Sequence, residues 1–145
     1  MRAPSTTIVI DAAILVAAVR GRSSGAVLRA AQEAIVVTTD RAVQEARRRI
    51  ELGLKRPELL EILDDLAGIL TVVPLASLEP LLVRCETVLR EAVSSRNGSA
   101  RDAHVLALAW SADADVWTTD RDFAGTGVAT WSTPNLMRGL AEAKT

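Results

Sequence analysis

The chain has 145 residues, of which 49% are hydrophobic and 24% are charged, and its formal net charge is −1 at pH 7. This length and composition predict one domain over residues 1–145 with a full apolar core. A balance this close to neutral excludes nucleic-acid binding through overall charge, so any such binding needs a local basic patch.

Several other classes of protein are excluded by single features. The one cysteine, Cys85, has no partner for a disulfide or a zinc site, and we interpret it as a buried core thiol. The apolar run 12–19 is too short to span a bilayer, and the first residues lack the order of a secretion signal. We therefore expect a cytoplasmic protein. The motifs of serine hydrolases and P-loop nucleotidases are also missing.

The first half of the chain alternates strands with helices. A β-branched apolar run gives the first strand, and Gly21 stops the helix that follows it. In order, the pattern predicts the strand 7–10, the helix 12–20, a helix capped by Ser23 or Ser24 and running to about 34, the strand 35–38, and a helix capped by Thr39 or Asp40 and running to 53.

The second half continues this alternation. In order, the pattern predicts a helix opened by Pro57 and closed by Gly68, the strand 70–75, the helix 78–93, a turn at Asn97-Gly98, the helix 100–111, the strands 116–119 and 128–131, and a terminal helix from Thr133-Pro134. Strands that alternate with helices indicate an α/β fold with a mainly parallel central sheet covered on both faces.

Carboxylates stand at corresponding places in this pattern. Asp11 directly follows the first predicted strand, and Asp120 and Asp122 follow the fourth. The carboxyl ends of parallel strands share one edge of a sheet, and ligands bind at that edge in such folds. Two more lie on helices that can reach the same edge. The set is Asp11, Glu45, Asp102, Asp120 and Asp122.

Each acid also has a simple local explanation. These local roles are an N-cap for Asp11, an Asx turn for Asp120 and Asp122, an ion pair with Arg49 for Glu45, and a helix-dipole position in the first turn for Asp102. The local roles do not require that all five acids meet at one edge, so their joint placement favours a metal site. Carboxylate oxygens without histidine or cysteine ligands suit Mg²⁺ rather than zinc.

Basic side chains and one histidine lie near these acids. His104 stands two residues after Asp102, so we expect it on a different side of the helix. Arg96, Arg101 and Arg121 are candidates for phosphate contacts, with solvated or ion-paired side chains as the alternative. The run 47–49 of three arginines is interpreted as a solvated helix face.

At these acids the chain resembles the PIN-domain family, in particular the VapC-like ribonucleases of type II toxin-antitoxin systems. The stretches that carry the resemblance are Ile8-Val9-Ile10-Asp11, Val43-Gln44-Glu45-Ala46, Asp102-Ala103-His104-Val105-Leu106-Ala107-Leu108-Ala109 and Trp117-Thr118-Thr119-Asp120-Arg121-Asp122-Phe123. The tail from Ala124 to Thr133 is similar to one branch of that family. The order and rough spacing of these stretches agree over nearly the full chain.

The resemblance implies a three-layer α/β/α sandwich and cleavage of RNA that depends on Mg²⁺ or Mn²⁺. It further implies a cognate antitoxin protein and a homodimer. Carried over residue by residue, it makes Asp11, Glu45, Asp102 and Asp120 the catalytic and metal-binding acids, with Asp122 as an additional metal ligand.

One position departs from the family pattern. The family often has serine, threonine or asparagine two residues after the first aspartate, whereas this chain has Ala13. Loss of a polar group that orients a ligand typically costs about 10- to 100-fold in metal affinity or activity. The alternative is therefore a non-catalytic module that keeps the fold and binds RNA or protein. A phosphoryl-transfer domain of receiver or haloacid-dehalogenase type fits less well, because no second acid adjoins Asp11.

Overall fold

Five short strands form one sheet in which every neighbouring pair is parallel. The structure is a computed structural model, and it describes residues 2–21, 24–91, 100–119 and 123–143. The strands are β1 (Thr7–Ile10), β2 (Ile35–Thr39), β3 (Thr71–Val73), β4 (Asp115–Trp117) and β5 (Thr130–Trp131). Their order across the sheet is β3-β2-β1-β4-β5. The chain thus forms β2 and β3 on one side of β1 and then crosses to the other side to form β4 and β5.

Within the residues that the structure describes, seven α-helices connect or follow these strands. They are α1 (Ala12–Val19), α2 (Ser24–Glu33), α3 (Asp40–Arg48), α4 (Leu60–Ile69), α5 (Glu79–Arg90), α6 (Ala103–Ala112) and α7 (Thr133–Ala143). A π-helical turn, Arg49–Gly53, extends α3, and 3₁₀ turns at Pro57–Leu59 and Leu75–Leu78 precede α4 and α5. Within the described ranges, no helix combines the length and apolar character needed to cross a bilayer.

Helices cover the sheet on both faces, and each face has its own apolar core. Along β1 the side chains alternate, so Ile8 and Ile10 enter one core and Val9 enters the other. The first core is completed by α1 to α4 and α7, and the second by α5 and α6. Both cores use fully buried side chains, such as Leu63 in the first and Leu106 in the second. The predicted three-layer α/β/α architecture with a parallel sheet is therefore confirmed.

A buried aspartate fastens the segment before β1 to the sheet. Asp115, at the amino end of β4, is only 2% exposed. Its carboxylate accepts hydrogen bonds from the Trp131 indole nitrogen at 2.9 Å, the Ser5 backbone nitrogen at 2.9 Å and the Arg2 guanidinium at 3.1 Å. These three donors belong to β5 and to the N-terminal segment, so one carboxylate joins three parts of the chain.

The same N-terminal segment packs closely on α7. A Cβ atom added at Gly139 would lie 2.9 Å from Cγ of Pro4 and 3.3 Å from the Trp131 ring. Such contacts are shorter than packed carbon atoms normally make, so only glycine allows this approach. The absence of a side chain at one position of α7 therefore lets the segment reach Asp115.

Several predicted boundaries were wrong. Gly68 does not close its helix, because α4 continues to Ile69. The third, fourth and fifth strands are shorter than the runs 70–75, 116–119 and 128–131, since pairing covers three, three and two residues. Helix α6 begins at Ala103, three residues later than predicted. The predicted turn at Asn97-Gly98 lies outside the described residues, as does Ser23.

Candidate active site

The order of the strands reverses between β1 and β4, because β2 and β3 lie on one side of β1 and β4 and β5 lie on the other. Sheets of this kind bind ligands beyond the carboxyl ends of the strands at such a reversal, here between β1 and β4. Ile10 pairs with Trp117, so Asp11 and Thr118 leave the two strands at the same level. On the other side of β1, Thr39 ends β2. Three polar side chains thus meet at this edge.

Asp11 has two structural contacts as well as its place at the edge. Its Oδ1 accepts a hydrogen bond from the Ile14 backbone nitrogen at 3.0 Å, which is the expected N-cap of α1. Its Oδ2 accepts a hydrogen bond from the Thr118 hydroxyl at 2.5 Å. The residue is 7% exposed. These two donors hold the carboxylate in one orientation at the end of β1.

Three of the five predicted acids line a single cleft at this edge. The cleft has a volume of about 190 Å³. Its lining consists of Asp11, Ala12, Ala13, Glu45, Arg49, Asp102 and Thr119. The acids come from the end of β1, the middle of α3 and the start of α6, which are far apart in the sequence. Asp120 and Asp122 lie outside the described residues, as do Arg96 and Arg121.

Asp102 occupies a different helical position from the one predicted. It stands at the N-cap of α6 rather than in the first turn, and its side chain does not cap the helix. Its backbone oxygen accepts the first helical hydrogen bonds, from Val105 at 3.1 Å and Leu106 at 3.2 Å. The half-buried side chain lines the cleft instead. Its local role in the helix is therefore carried by the backbone.

Glu45 is supported from inside the protein by a buried histidine. The Thr39 hydroxyl accepts a hydrogen bond from the Ala42 backbone nitrogen at 2.9 Å and lies 2.7 Å from Nδ1 of His104. This arrangement lets Thr39 donate to Nδ1, which favours the tautomer with the proton at Nε2. Nε2 lies 3.6 Å from Oε1 of Glu45, a distance typical of an electrostatic contact rather than a hydrogen bond.

His104 has a contact that its spacing from Asp102 did not indicate. Helix α6 packs against β1 and β2, and the imidazole, 1% exposed, lies beside Glu45 of α3. Sequence spacing along one helix gives the angle between His104 and Asp102. It does not give the position of Glu45 on another helix.

The ionisation of Glu45 follows from these neighbours. The His104 imidazole is the largest cause that lowers the pKa of Glu45 below its ordinary value of 4.5, and partial burial opposes it. The guanidinium groups of Arg41 and Arg49 lower it further. Arg41 lies 3.6 Å from Oε1 of Glu45. Glu45 is therefore held as a carboxylate at neutral pH.

This lowered pKa predicts a pH dependence of stability. A carboxyl group whose pKa is lower in the folded than in the unfolded protein stabilises the fold above its unfolded value. That stabilisation is lost as the pH falls through the folded value. The free energy of unfolding of the parent, minus that of Glu45→Gln, should therefore decrease as the pH is lowered from 6 to 3.

Chemical denaturation in the presence of EDTA measures this difference without interference from divalent ions. Glu61→Gln, on the exposed side of α4, corrects for the loss of one negative charge. A difference between parent and Glu45→Gln that stays constant or grows toward pH 3 would contradict the assignment.

The donor chemistry of the cleft suits a hard divalent cation. Its acidic groups offer only oxygen atoms, the ligands that Mg²⁺ and Mn²⁺ prefer. Within residues 2–21, 24–91, 100–119 and 123–143, no three acidic, histidine or cysteine side chains lie close enough together to hold an ion.

Sequence reasoning missed the threonines of this site. Thr39 and Thr118 are 0% and 4% exposed. The Thr118 hydroxyl contacts Asp11, and the Thr39 hydroxyl contacts His104, which lies beside Glu45. The available signal was their position, because a threonine at the end of a buried strand needs a partner for its hydroxyl. Arg49 was also missed, since the run 47–49 was interpreted as a solvated face and Arg49 lines the cleft.

Comparisons with known proteins agree with this fold. A family model described as PIN domain matches residues 9–141. The crystal structure of PAE2754 from Pyrobaculum aerophilum is similar, with a TM-score of 0.64 and 17% sequence identity, over 94% of this chain and 96% of that chain. This likeness concerns the fold. No curated protein matches the sequence.

Proposed function

Because this chain belongs to the PIN-domain family, whose members are generally nucleases, we propose that it is a metal-dependent endoribonuclease. The observation that carries the proposal is the cleft at the carboxyl edge of the sheet. Asp11, Glu45 and Asp102 line it together although they come from separate elements on both faces of the sheet. Their local roles in three separate elements do not account for that convergence.

In the proposed site, Asp11 and Asp102 hold Mg²⁺ or Mn²⁺ together with Asp120, and Asp122 is a further ligand. A divalent ion bound there lowers the pKa of water and shields the charge that develops on the phosphate. Asp11 suits this role because the Ile14 backbone nitrogen and the Thr118 hydroxyl fix the orientation of its carboxylate at the edge of the sheet.

Glu45 is proposed to orient the attacking water and to accept its proton. The contact with His104 and the nearby arginines keep the Glu45 carboxylate ionised, as this role requires. The water oxygen forms a bond to phosphorus while the bond between phosphorus and the 3′-oxygen breaks. The water proton passes to Glu45, and the 3′-oxygen takes up a proton from solvent. The products carry a 5′-phosphate and a 3′-hydroxyl.

The test is incubation of the protein with total RNA in Mg²⁺, in Mn²⁺ and in EDTA. We expect RNA fragments with 5′-phosphate ends in either metal and intact RNA in EDTA. Fragments that carry 2′,3′-cyclic phosphates, or equal cutting in EDTA, would contradict the mechanism. An RNA that stays intact under all conditions would contradict the proposed activity.

One observation favours a second function, that of a non-catalytic binding module. Ala13, where the family often has a hydroxyl or an amide, lines the acidic cleft and offers no polar group to it. Binding of RNA without any metal-dependent cutting would support this alternative.

For the cellular role, we propose the toxin component of a type II toxin-antitoxin system, acting as a homodimer that a cognate antitoxin inhibits. The support is the resemblance of the four acidic stretches to VapC-like ribonucleases.

A further inference from the structure

A second cleft, lined mainly by arginines, adjoins the acidic one. Its lining consists of Arg41, Glu45, Arg48, Arg49 and Arg101. Four of these residues recur at helical spacing along α3 and the π turn, so they share one face, and Arg101 approaches from the segment before α6. We call this the arginine cleft.

The arginine cleft opens directly onto the acidic cleft. Glu45 and Arg49 line both, so a ligand can occupy the two continuously. The local charge contrasts with the whole chain, whose net charge is −1, because four guanidinium groups here face one carboxylate. This patch supplies the local positive charge that the overall composition does not provide.

At Arg41, Arg48 and Arg49, ion pairs with described acids account for little of this positive charge. Arg47 lies on the same helix but is paired with Asp64 of α4, outside the cleft. Arg41 contacts Glu45, yet its side chain is 48% exposed. Among the described acidic residues, none forms an ion pair with Arg48 or Arg49, and both arginines are exposed. The arginine cleft is therefore a surface that can accept negative charge from a ligand.

The arrangement of the arginines identifies the class of ligand. A planar guanidinium group binds phosphate oxygens in pairs. Arg41 and Arg48 are seven residues apart, which on a helix is about 10 Å along the axis. The charges thus follow a line, as suits a chain of phosphates rather than a single anion. Among the described residues of the lining, none is an aromatic residue on which a base would stack.

We propose that the arginine cleft binds the backbone phosphates of the RNA substrate on one side of the bond that is cut. This inference rests on the proposed nuclease function and extends it. Contacts to phosphates position a nucleic acid without reading its sequence. Binding in this cleft should therefore be insensitive to base sequence and should weaken steeply as salt concentration rises.

The decisive experiment measures binding without cleavage. The probe is a fluorescein-labelled single-stranded RNA of mixed sequence, followed by fluorescence anisotropy in EDTA. The variant is Arg41→Ala with Arg48→Ala, because neither residue lines the acidic cleft. The matched control is Arg29→Ala with Arg84→Ala, which removes the same charge from exposed positions outside both clefts.

We expect the cleft variant to bind RNA about 2- to 30-fold more weakly than the parent, as two lost exposed charge contacts imply. The slope of log affinity against log salt should become shallower by about 1.4, since each phosphate contact on a single strand contributes about 0.7. The control variant should keep the parent slope. Equal slopes for the cleft variant and the parent would overturn the inference.

Two further results separate this inference from its alternatives. If the parent cuts RNA while the cleft variant binds and cuts RNA as well as the parent does, the inference fails and the nuclease function stands. If the parent never cuts RNA but its binding depends on the two arginines, the nuclease function fails instead.

Poly-glutamate serves as a competitor that carries negative charge without phosphate. A cleft variant that loses only poly-glutamate binding would overturn the inference in favour of an acidic protein segment.

Discussion

Replacement of Asp102 by asparagine is expected to reduce metal-dependent RNA cleavage at least about 100-fold and to leave the fold intact. Loss of a group that merely orients a metal ligand costs about 10- to 100-fold, so loss of a ligand carboxylate should cost at least the upper value. Asp102 is the best of the acids for this test. Its side chain does not cap α6, whereas Asp11 caps α1 and binds Thr118.

The matched control for this experiment is Asp113→Asn, at the opposite end of the same helix. Asp113 ends α6 with a φ of 50°, a conformation that asparagine adopts as easily as aspartate. The same chemical change is thus made on α6 far from the cleft. Initial rates on one RNA substrate in Mn²⁺, with thermal unfolding of each variant in EDTA, give the comparison. A parent-like rate for Asp102→Asn would exclude Asp102 from the catalytic site.

The elements closest to the centre of the sheet were predicted best. Strand β1, the start of α1 and the Thr39 cap of α3 all occur where the sequence indicates them. These elements combine a buried β-branched run with a capping side chain directly after it, so local chemistry alone determines them. The convergence of Asp11, Glu45 and Asp102 then followed from the parallel sheet.

Other elements were predicted less well because tertiary contacts decide where they begin and end. Pairing of β3 with β2, and of β5 with β4, involves only a few residues, although the apolar runs are longer. Gly68 remains helical because α4 is held by the burial of Leu63 and Leu66, which outweighs the helix-breaking tendency of one glycine. Neither effect can be recognised from local sequence.

The same reason explains which site residues were missed. Thr39 and His104 meet across 65 positions, and Thr118 meets Asp11 across 107. Each is an ordinary core residue in its own element, and only the packed sheet edge gives it a role. Arg48 and Arg49 were interpreted as part of a solvated run, since the sequence does not show that α3, the π turn and the segment before α6 form a cleft there.

Replacement of Asp115 by alanine is expected to destabilise the protein by about 2 to 5 kcal/mol. The change leaves the buried Trp131 indole nitrogen and the half-buried Ser5 backbone nitrogen without their acceptor. An unsatisfied buried donor costs about 1 to 3 kcal/mol, and a half-buried donor costs less because water can reach it. For a chain of this length, about 3 °C of melting temperature corresponds to each kcal/mol. Asp115→Asn keeps one acceptor oxygen and should lie between alanine and the parent.

Asp65→Ala serves as the control for this prediction, because Asp65 is an exposed acid on α4. Its effect should stay within about 0.5 kcal/mol. Urea unfolding followed by tryptophan fluorescence measures all three variants, since the Trp131 ring loses its buried contact on unfolding. An Asp115→Ala protein as stable as Asp65→Ala would mean that the N-terminal segment is not fastened through this carboxylate.

Replacements of Asp115 and Asp102 should have different effects, because the two residues lie at opposite ends of the strands. Asp115 stands at the amino end of β4, where three donors surround its carboxylate, so its replacement should lower stability. Asp102 lies beyond the carboxyl ends of the strands in a cleft shared with two other acids, so its replacement should lower activity. RNA cleavage by folded Asp115→Asn at the parent rate, beside a folded but inactive Asp102→Asn, would separate the two roles within one sheet.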